Sequence, residues 1–448
     1  MVASYGNNTA VSATSLDPSV ERAVLRAVSR RLLPFLFLLY VFNILDRVNI
    51  GFARLQFLED LDLSKEVYGT AVSVFFLGYF LFEVPSNLML RHMGARRWIA
   101  RILMSWGLIS ATLMFVRGPW SLYLLRFLLG LAEAGFFPGI ILYLSYWFPA
   151  RERARAVSLF MTGSAVTGIV GNPISGTILG QLGGTAGLKG WQWLFLLEGV
   201  PTVLLGVVAL FYLTDRPEQA SWLTPAQRDW LTARMNREEH HREQHHRLTL
   251  LQALAQPRVL LLCALYFTVS MGANSFGAYA PQIVKDHFVG VSDEQVGLLM
   301  AVPSLGAIVS MTVVGVHSDR TGERRWHVAA PAFVAALGWL MTARLDMPWL
   351  VLLGLVLAHS GMLSMLPTFW TLPTSFLSGS AAAGGIAFIN SVGNLGGFAG
   401  PQIIGRLEAR GHFSEGLIVL AAALVIGGML ALRARHDAAL ENPHTDAK

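Results

Sequence analysis

Residues 32–52 read LLPFLFLLYVFNILDRVNIGF, a run that is long and apolar enough to cross the hydrocarbon core of a bilayer as one helix. Eleven more runs of this kind follow along the 448 residues. Charged residues make up only 14% of the chain, against about 25% in soluble domains, so the deficit extends over the whole length. This composition predicts an all-α membrane protein, and it excludes a soluble enzyme with a single membrane anchor.

The twelve runs fall into two groups of six, separated by one long polar segment. They lie near 32–52, 68–90, 98–117, 120–145, 153–180, 191–213, 258–280, 295–317, 327–344, 348–371, 381–405 and 414–433. We therefore predict two six-helix bundles, a linker between them and two polar tails, at 32–213, 257–435, 214–256, 1–31 and 436–448. The linker holds paired histidines without a fixed ligand geometry nearby, which favours a solvated segment over a metal site.

Clusters of arginine all fall on one side if the runs span the membrane alternately. They comprise Arg22, Arg26, Arg30, Arg31, Arg91, Arg96, Arg97, Arg151, Arg153, Arg155, Arg320, Arg324, Arg325, Arg433, Arg435 and the arginines of the linker. By the positive-inside rule, this side is cytoplasmic, so both termini are predicted to lie in the cytoplasm. The net charge of +6 then reflects membrane topology, and no nucleic-acid partner is expected.

Two short patterns recur at one fixed offset. Gly94 begins the sequence GARR and Gly322 begins GERR, 228 residues later (322 − 94). Pro173 and Pro401, each two residues after a glycine or an alanine, are also 228 residues apart (401 − 173). The shared offset indicates a duplicated six-helix unit, which is typical of transporters with a binding site between two halves. Chance recurrence of such short patterns is the alternative explanation.

Four charges inside the apolar runs stand out as functional candidates, because a charge at the centre of a membrane helix costs about 2.5 to 3.5 kcal/mol on insertion scales. Asp46 and Arg47 are adjacent and point about 100° apart on a helix, so one is expected to face a cavity and the other a neighbouring helix. Arg126 and Glu133 are seven residues apart and return to nearly the same face. An arginine suits a substrate carboxylate, and an acid suits the loading and release of protons. Purely structural ion pairs remain the alternative.

Several stretches resemble known transporter signatures. The loop at 315–325, GVHSDRTGERR, resembles the cytoplasmic loop signature of the major facilitator superfamily. The stretches LDRVN at 45–49, FEVPSN at 82–87 and RFLLGLAEAG at 126–135 resemble the anion:cation symporter family within it. Bacterial members of that family carry organic acids together with protons, and the likeness is to its tartrate transporters. The resemblance implies the major facilitator fold, with twelve helices in two six-helix pseudo-repeats.

The same resemblance implies roles for individual residues. It assigns Arg47 to the substrate carboxylate, Asp46 and Glu133 to protons, and Arg126 to a pairing that gates Glu133. It implies that the central cavity is lined by Tyr79, Asn274, Trp370 and Asn394. It also implies a conformational latch formed by Asp319, Arg320 and Arg324.

The second half carries neutral polar residues at positions where the first half carries charged ones. Asn274 occupies the repeat position of Asp46, since 46 + 228 = 274. Asn390 and Asn394 are one turn apart and share a helix face, so their amides suit a ligand that bears hydroxyl groups. For Trp370 an interfacial anchor is the alternative, and for the asparagines it is helix-to-helix hydrogen bonding.

Three further polar residues in the runs receive no predicted transport role. For Glu83 and Glu198, pairing with basic loops and interhelical hydrogen bonds are both open. For His359, a hydrogen-bonded structural group is favoured over a proton shuttle.

We therefore predict a monomeric secondary transporter of the bacterial inner membrane. It would import a tartrate-like hydroxy-dicarboxylate or a related sugar acid with protons by alternating access. Transport of an aromatic carboxylate, export and exchange are the alternatives. No enzyme activity, metal or cofactor is expected, because the sequence holds no convergent nucleophile and base. The expected partners are the organic anion, protons and lipid.

Overall fold

The computed structural model describes residues 18–244, 256–374 and 379–434. All regular structure in these ranges is helical, which confirms the predicted all-α class. The N-terminal half contains α1 (Pro18–Asp60), α2 (Lys65–Met93), α3 (Ala95–Thr112), α4 (Pro119–Glu133), α5 (Phe136–Trp147), α6 (Ala150–Met161), α7 (Asn172–Gln181) and α8 (Gly190–Tyr212). A short helix, Gly163–Val166, and a π-helical turn, Thr167–Gly171, lie between α6 and α7.

After the N-terminal half, α9 (Pro225–Gln244) lies within the predicted linker. The C-terminal half contains α10 (Pro257–His287), α11 (Asp293–Thr321), α12 (Arg325–Arg344), α13 (Pro348–Phe369), α14 (Gly379–Ala409) and α15 (Phe413–Arg433). A four-residue helix, Thr371–Thr374, follows α13. Short connections make successive membrane-spanning segments of each half run in opposite directions. We call the end at which α1 begins and α15 ends the terminal face, and the other end the opposite face.

Within the described ranges, eleven helical segments are long and apolar enough to cross a membrane. The eleventh predicted run, 381–405, falls in α14, which has 31 residues but is not one of those eleven segments. This helix carries the amides Asn390, Asn394 and Gln402 among its apolar residues. It packs against α2, α10 and α15, so it lies within the bundle and not at its edge.

Two runs that the sequence presents as continuous are broken. The fourth run is divided into α4 and α5 at Gly135, whose φ of 85° is a left-handed conformation. A side chain at this position would also overlap the hydroxyl of Ser86 on α2. The fifth run is interrupted by the π-helical turn Thr167–Gly171. Hydrophobic periodicity missed both breaks, because an apolar run gives no signal for a local change of helix geometry. The first break ends α4 directly after Glu133.

The repeat anchors Gly94 and Gly322 both end a helix with a positive φ, although their ψ values differ, at 148° and 3°. Gly94 ends α2 and Gly322 ends α11, with φ values of 87° and 67°, and each donates its N–H to the carbonyl four residues earlier. These carbonyls belong to Leu90 and Ser318, at 3.1 Å and 3.0 Å. Both glycines therefore terminate the second helix of their half in a conformation that disfavours other residues.

The two halves meet along three helix pairs, namely α1 with α10, α2 with α14, and α7 with α11. Glycine permits close approach of the two halves: a Cβ on Gly51 of α1 would overlap the carbonyl oxygen of Gly277 of α10, and one on Gly176 of α7 would lie 2.6 Å from the carbonyl oxygen of Asp293. On the outer surface, large apolar side chains such as Phe211 (82% exposed) project outwards. This distribution suits contact with lipid.

Candidate functional site

Arg47 and Glu133 form a buried ion pair between α1 and α4. The Nε of Arg47 donates to Oε1 of Glu133 at 2.5 Å, and Nδ2 of Asn43 donates to the same oxygen at 2.8 Å. Glu133 is 1% exposed, whereas 21% of the Arg47 side chain is exposed. The Arg47 guanidinium also lies 5.1 Å from the ring centroid of Tyr79. Arg47 thus combines a buried counter-ion with a partly exposed side chain.

Asp46 points away from this pair and into the N-terminal half. Its carboxylate accepts hydrogen bonds from Trp106 at 2.8 Å and Ser110 at 2.7 Å on α3, from Thr202 at 3.2 Å on α8, and from Asn49 at 3.2 Å. All four donors are neutral, and Asp46 is 1% exposed. The predicted divergence of Asp46 and Arg47 is therefore confirmed.

Arg126 is buried, but it forms no described hydrogen bond to Glu133, the partner that we expected. Its Nε donates to the carbonyl oxygen of Ala71 at 3.3 Å, and its guanidinium lies 4.7 Å from the Phe75 ring centroid. One terminal nitrogen, Nη1, has no hydrogen-bond partner among the described residues. The shared helix face is real, but α1 places Arg47 nearer to the Glu133 carboxylate. The predicted pairing is therefore replaced by a pairing between two helices.

The predicted cavity residues come from both halves. Tyr79 is 1% exposed, and Trp370 packs edge-on against Tyr266 with ring centroids 5.0 Å apart. Asn274 is half-buried and donates to Ser270 Oγ at 3.0 Å and to its carbonyl oxygen at 2.9 Å. Asn394 is 6% exposed.

Glu83, for which no transport role is predicted, bridges the two halves. It is 0% exposed on α2. Its Oε1 accepts from Nδ2 of Asn390 and its Oε2 from Oγ of Ser391, both at 2.5 Å. Asn390, which we predict to bind substrate, therefore has its amide nitrogen engaged by Glu83 in this conformation.

A second buried ion pair, missed at the sequence level, joins the halves near the opposite face. Arg54 of α1 is bonded to Glu408 of α14, and Lys65 Nζ lies 3.5 Å from the same carboxylate. The Arg54 guanidinium lies 4.7 Å and 4.8 Å from the ring centroids of Tyr68 and Tyr279. Arg54 is 3% and Glu408 8% exposed. The sequence signal was an arginine two residues beyond the first apolar run.

Further hydrogen bonds join the halves near the opposite face. Gln56 donates to Asp293 at 2.8 Å, Gln181 to Glu294 at 3.2 Å, and Gln402 to Thr70 at 3.3 Å. The hydroxyl of Tyr68 donates to the carbonyl oxygen of Ala278 at 2.6 Å. Together with the Arg54 ion pair, these bonds hold the two halves together at this face.

The predicted latch residues lie at the terminal face. Nη1 of Arg324 donates to Asp319 at 2.6 Å and to Ser318 Oγ at 3.0 Å, while Arg320 is exposed. Although partial burial would raise the pKa of Glu323, hydrogen bonds from the Trp326 N–H and from the His327 ring hold this pKa below its usual value. The loop is thus locally ordered, and the described contact between Arg324 and Asp319 lies within it.

Two polar residues have no predicted transport role, and Glu198 is buried whereas His359 is half-buried. Glu198 is 2% exposed and accepts from Ser175 Oγ at 2.7 Å, an interhelical hydrogen bond within the N-terminal half. His359 stacks on Phe276 with ring centroids 4.3 Å apart.

Across the described ranges, no group of three or more His, Cys, Asp or Glu side chains is arranged to hold a metal. Of the linker histidines, His245 and His246 lie outside the described residues, and the side chains of His240 and His241 are likewise not described.

The known proteins that this chain resembles are membrane transporters. Residues 36–401 match the family described as Major Facilitator Superfamily. A protein of Agrobacterium vitis named "Putative tartrate transporter" is 48% identical, with 93% of this chain and 96% of the relative covered. A "Quinolone resistance transporter" of Acinetobacter baumannii is 39% identical, with 92% and 94% covered. The xylose transporter of E. coli, solved in a partially occluded inward-open conformation, superposes with a TM-score of 0.71 at 14% identity over 91% of this chain and 99% of that chain, which bears on the fold alone.

Proposed function

The chain belongs to the major facilitator superfamily, and we propose that this membrane transporter imports a tartrate-like hydroxy-dicarboxylate or a related sugar acid together with protons. The family and its relatives are transporters and not enzymes. The relative named for tartrate supports the substrate class. Arginine placement supports an inner-membrane protein with a cytoplasmic terminal face. The opposite face, where the halves are joined, would then be periplasmic.

One observation carries the proposal: Arg47 is both paired with Glu133 and partly exposed. The hydrogen bond to Glu133 uses Nε, so the two terminal nitrogens of the planar guanidinium are suited to a substrate carboxylate. An arriving carboxylate would compete with Glu133 for the same cation. Loss of that partner would favour proton uptake by Glu133, which has Asn43 as its other, neutral donor. Substrate and proton would then be bound together.

Asp46 supports a second proton position in this proposal. Its carboxylate is buried without a cation, held by neutral donors from α3 and α8. An ion held in this way is costly in a low-dielectric interior, so a proton is a natural partner. The proposal requires no cofactor besides the proton and no partner subunit.

The proposal is tested by uptake of radiolabelled tartrate into proteoliposomes with an imposed proton gradient. Wild-type protein should accumulate tartrate, and Arg47→Ala should abolish uptake at every concentration tested. Arg117→Ala is the matched control, because this arginine is exposed in the loop between α3 and α4. Accumulation by Arg47→Ala equal to that of wild type would refute the assignment of Arg47.

A second candidate, export of an aromatic carboxylate or a related drug, is supported by the quinolone resistance relative. Oriented vesicles separate the two directions, because an importer accumulates substrate in right-side-out vesicles with an inward proton gradient. Phthalate in place of tartrate separates the substrate classes. Transport of phthalate alone would overturn the tartrate-like assignment, and movement only outwards would overturn import.

A further inference from the structure

Glu83 is a buried acid that the proposed mechanism does not use. Both of its oxygens accept hydrogen bonds, from Asn390 and from Ser391, and both partners belong to the other half of the molecule. Asp46 and Glu133, by contrast, accept only from residues of their own half. Any movement of the halves that separates α2 from α14 therefore removes both partners of Glu83 at once.

The charged and titratable groups around Glu83 leave it without a cation of its own. Those whose electrostatic field reaches it are Arg47 on α1, Tyr79 on α2 and Tyr266 on α10. Arg47 is already paired with Glu133. Other charges on the helices packed against α2 include Asp46 and Arg54 on α1, Arg101 on α3, Arg126 and Glu133 on α4, and Arg406 and Glu408 on α14. No described cation forms an ion pair with Glu83.

Its position along the helices is also distinctive. Glu83 is 18 residues from the start of α2 at Lys65, which corresponds to about 27 Å along the helix axis. Among the hydrogen bonds between two described side chains that cross the halves, this pair lies farthest from the opposite face. The carboxylate thus lies where rocking of the halves would change its surroundings.

We propose that Glu83 is a further proton-binding site of the transport cycle, whose proton affinity depends on contact with Asn390 and Ser391. A neutral carboxyl group can keep both contacts, since the Ser391 hydroxyl can also accept. Hydrogen bonds to an ionised carboxylate are about twice as strong, however, so separation of the halves costs the ionised form more. Ionised Glu83 therefore favours the conformation described, and a bound proton favours its opening. By linkage, the two equilibria are coupled.

This inference rests on the proposed function only in treating the proton as the coupling ion, and its test needs no substrate. Spin labels are attached at Glu59→Cys and Val289→Cys, both exposed near the opposite face. Double electron–electron resonance in nanodiscs then reports the distance between the halves. The single native cysteine is removed as Cys263→Ala. The ratio of open to closed molecules is measured from about pH 5 to about pH 9.

In wild type, the logarithm of the ratio of open to closed molecules should change with pH. Each proton whose binding is linked to opening changes the ratio by about tenfold per pH unit over the range where it titrates, and Glu83 should contribute one such proton. Glu83→Gln keeps an acceptor for Asn390 and a donor for Ser391 but cannot titrate, so the slope should fall by one proton. The double variant Asn390→Leu, Ser391→Ala retains the acid and removes its partners. It should lose the same proton, because proton affinity then no longer depends on conformation.

Glu66→Gln, an exposed acid on the same helix, is the matched control and should keep the wild-type slope. The inference is overturned if Glu83→Gln and the double variant keep that slope, if the wild-type ratio is independent of pH, or if Glu66→Gln loses as much as Glu83→Gln. Failure of tartrate uptake would overturn the proposed function but would leave this measurement decisive for Glu83.

Discussion

The ion pair between Arg54 and Glu408 predicts an unequal response to loss of either partner. Glu408 without Arg54 retains Lys65, 3.5 Å away, and it can also be neutralised by a proton. Arg54 without Glu408 cannot lose its charge and retains only the faces of Tyr68 and Tyr279. Glu408→Gln should therefore separate the halves at the opposite face more than Arg54→Gln does.

The magnitude follows from the burial of both partners, which are 3% and 8% exposed. Removing one member of a buried ion pair costs about 3 to 5 kcal/mol. Since 1.4 kcal/mol is a factor of ten, Glu408→Gln should shift the ratio of closed to open molecules by roughly 10²- to 4 × 10³-fold. The half-exposed Lys65 recovers no more than about 1 kcal/mol, so the shift in Arg54→Gln should be about fivefold smaller.

The assay is the distance distribution between spin labels at Glu59→Cys and Val289→Cys, measured at one pH for both single variants. A double variant, Arg54→Met with Glu408→Met, replaces the pair with apolar side chains and should return to within about tenfold of the wild-type ratio. If the double variant is as open as Glu408→Gln, an unpaired buried charge is not the cause of opening and the reasoning fails.

Three further predictions concern the site and its supports. Glu133→Gln should permit counterflow but not proton-driven accumulation, because an amide cannot carry the proton; accumulation at the wild-type level would contradict this role. Gly135→Ala should lower the free energy of unfolding by more than about 1 kcal/mol, since φ is 85° and the Ser86 side chain occupies the space that a Cβ would need. Gly118→Ala, whose Cβ would have no atom within 4 Å, should have little effect, and thermal unfolding of both variants measures the difference. Asp319→Asn should leave that free energy within about 1 kcal/mol, because the carboxylate is 73% exposed, yet slow tartrate uptake by releasing Arg324; unchanged uptake would argue against a latch.

Local sequence rules predicted the helices and several details within them. The 3.6-residue period of a helix was enough to predict that Asp46 and Arg47 diverge, and the structure confirms it. The fixed offset of 228 residues predicted equivalent positions, and Gly94 and Gly322 each end the second helix of their half with a positive φ. These features depend only on residues close together in the chain or on a repeated pattern.

Partner choice was not predictable in the same way. The partner of Glu133 was expected on its own helix, seven residues away, but it is Arg47, 86 residues away. Arg126 instead contacts the backbone of α2 and the Phe75 ring. Which of two buried arginines meets one carboxylate depends on how α1 and α4 pack, and periodicity within a single helix carries no such information.

The sequence by itself determined that this protein spans a lipid bilayer, that it is helical, and which charged residues lie within its membrane-spanning runs. Each of these follows from composition and from spacing within one helix. Only the tertiary structure decided which charges meet. Glu83 and Asn390 are 307 residues apart, and Arg54 and Glu408 are 354 apart. Both contacts exist because the two halves pack face to face, so their residues carry no recognisable pattern until the halves are brought together.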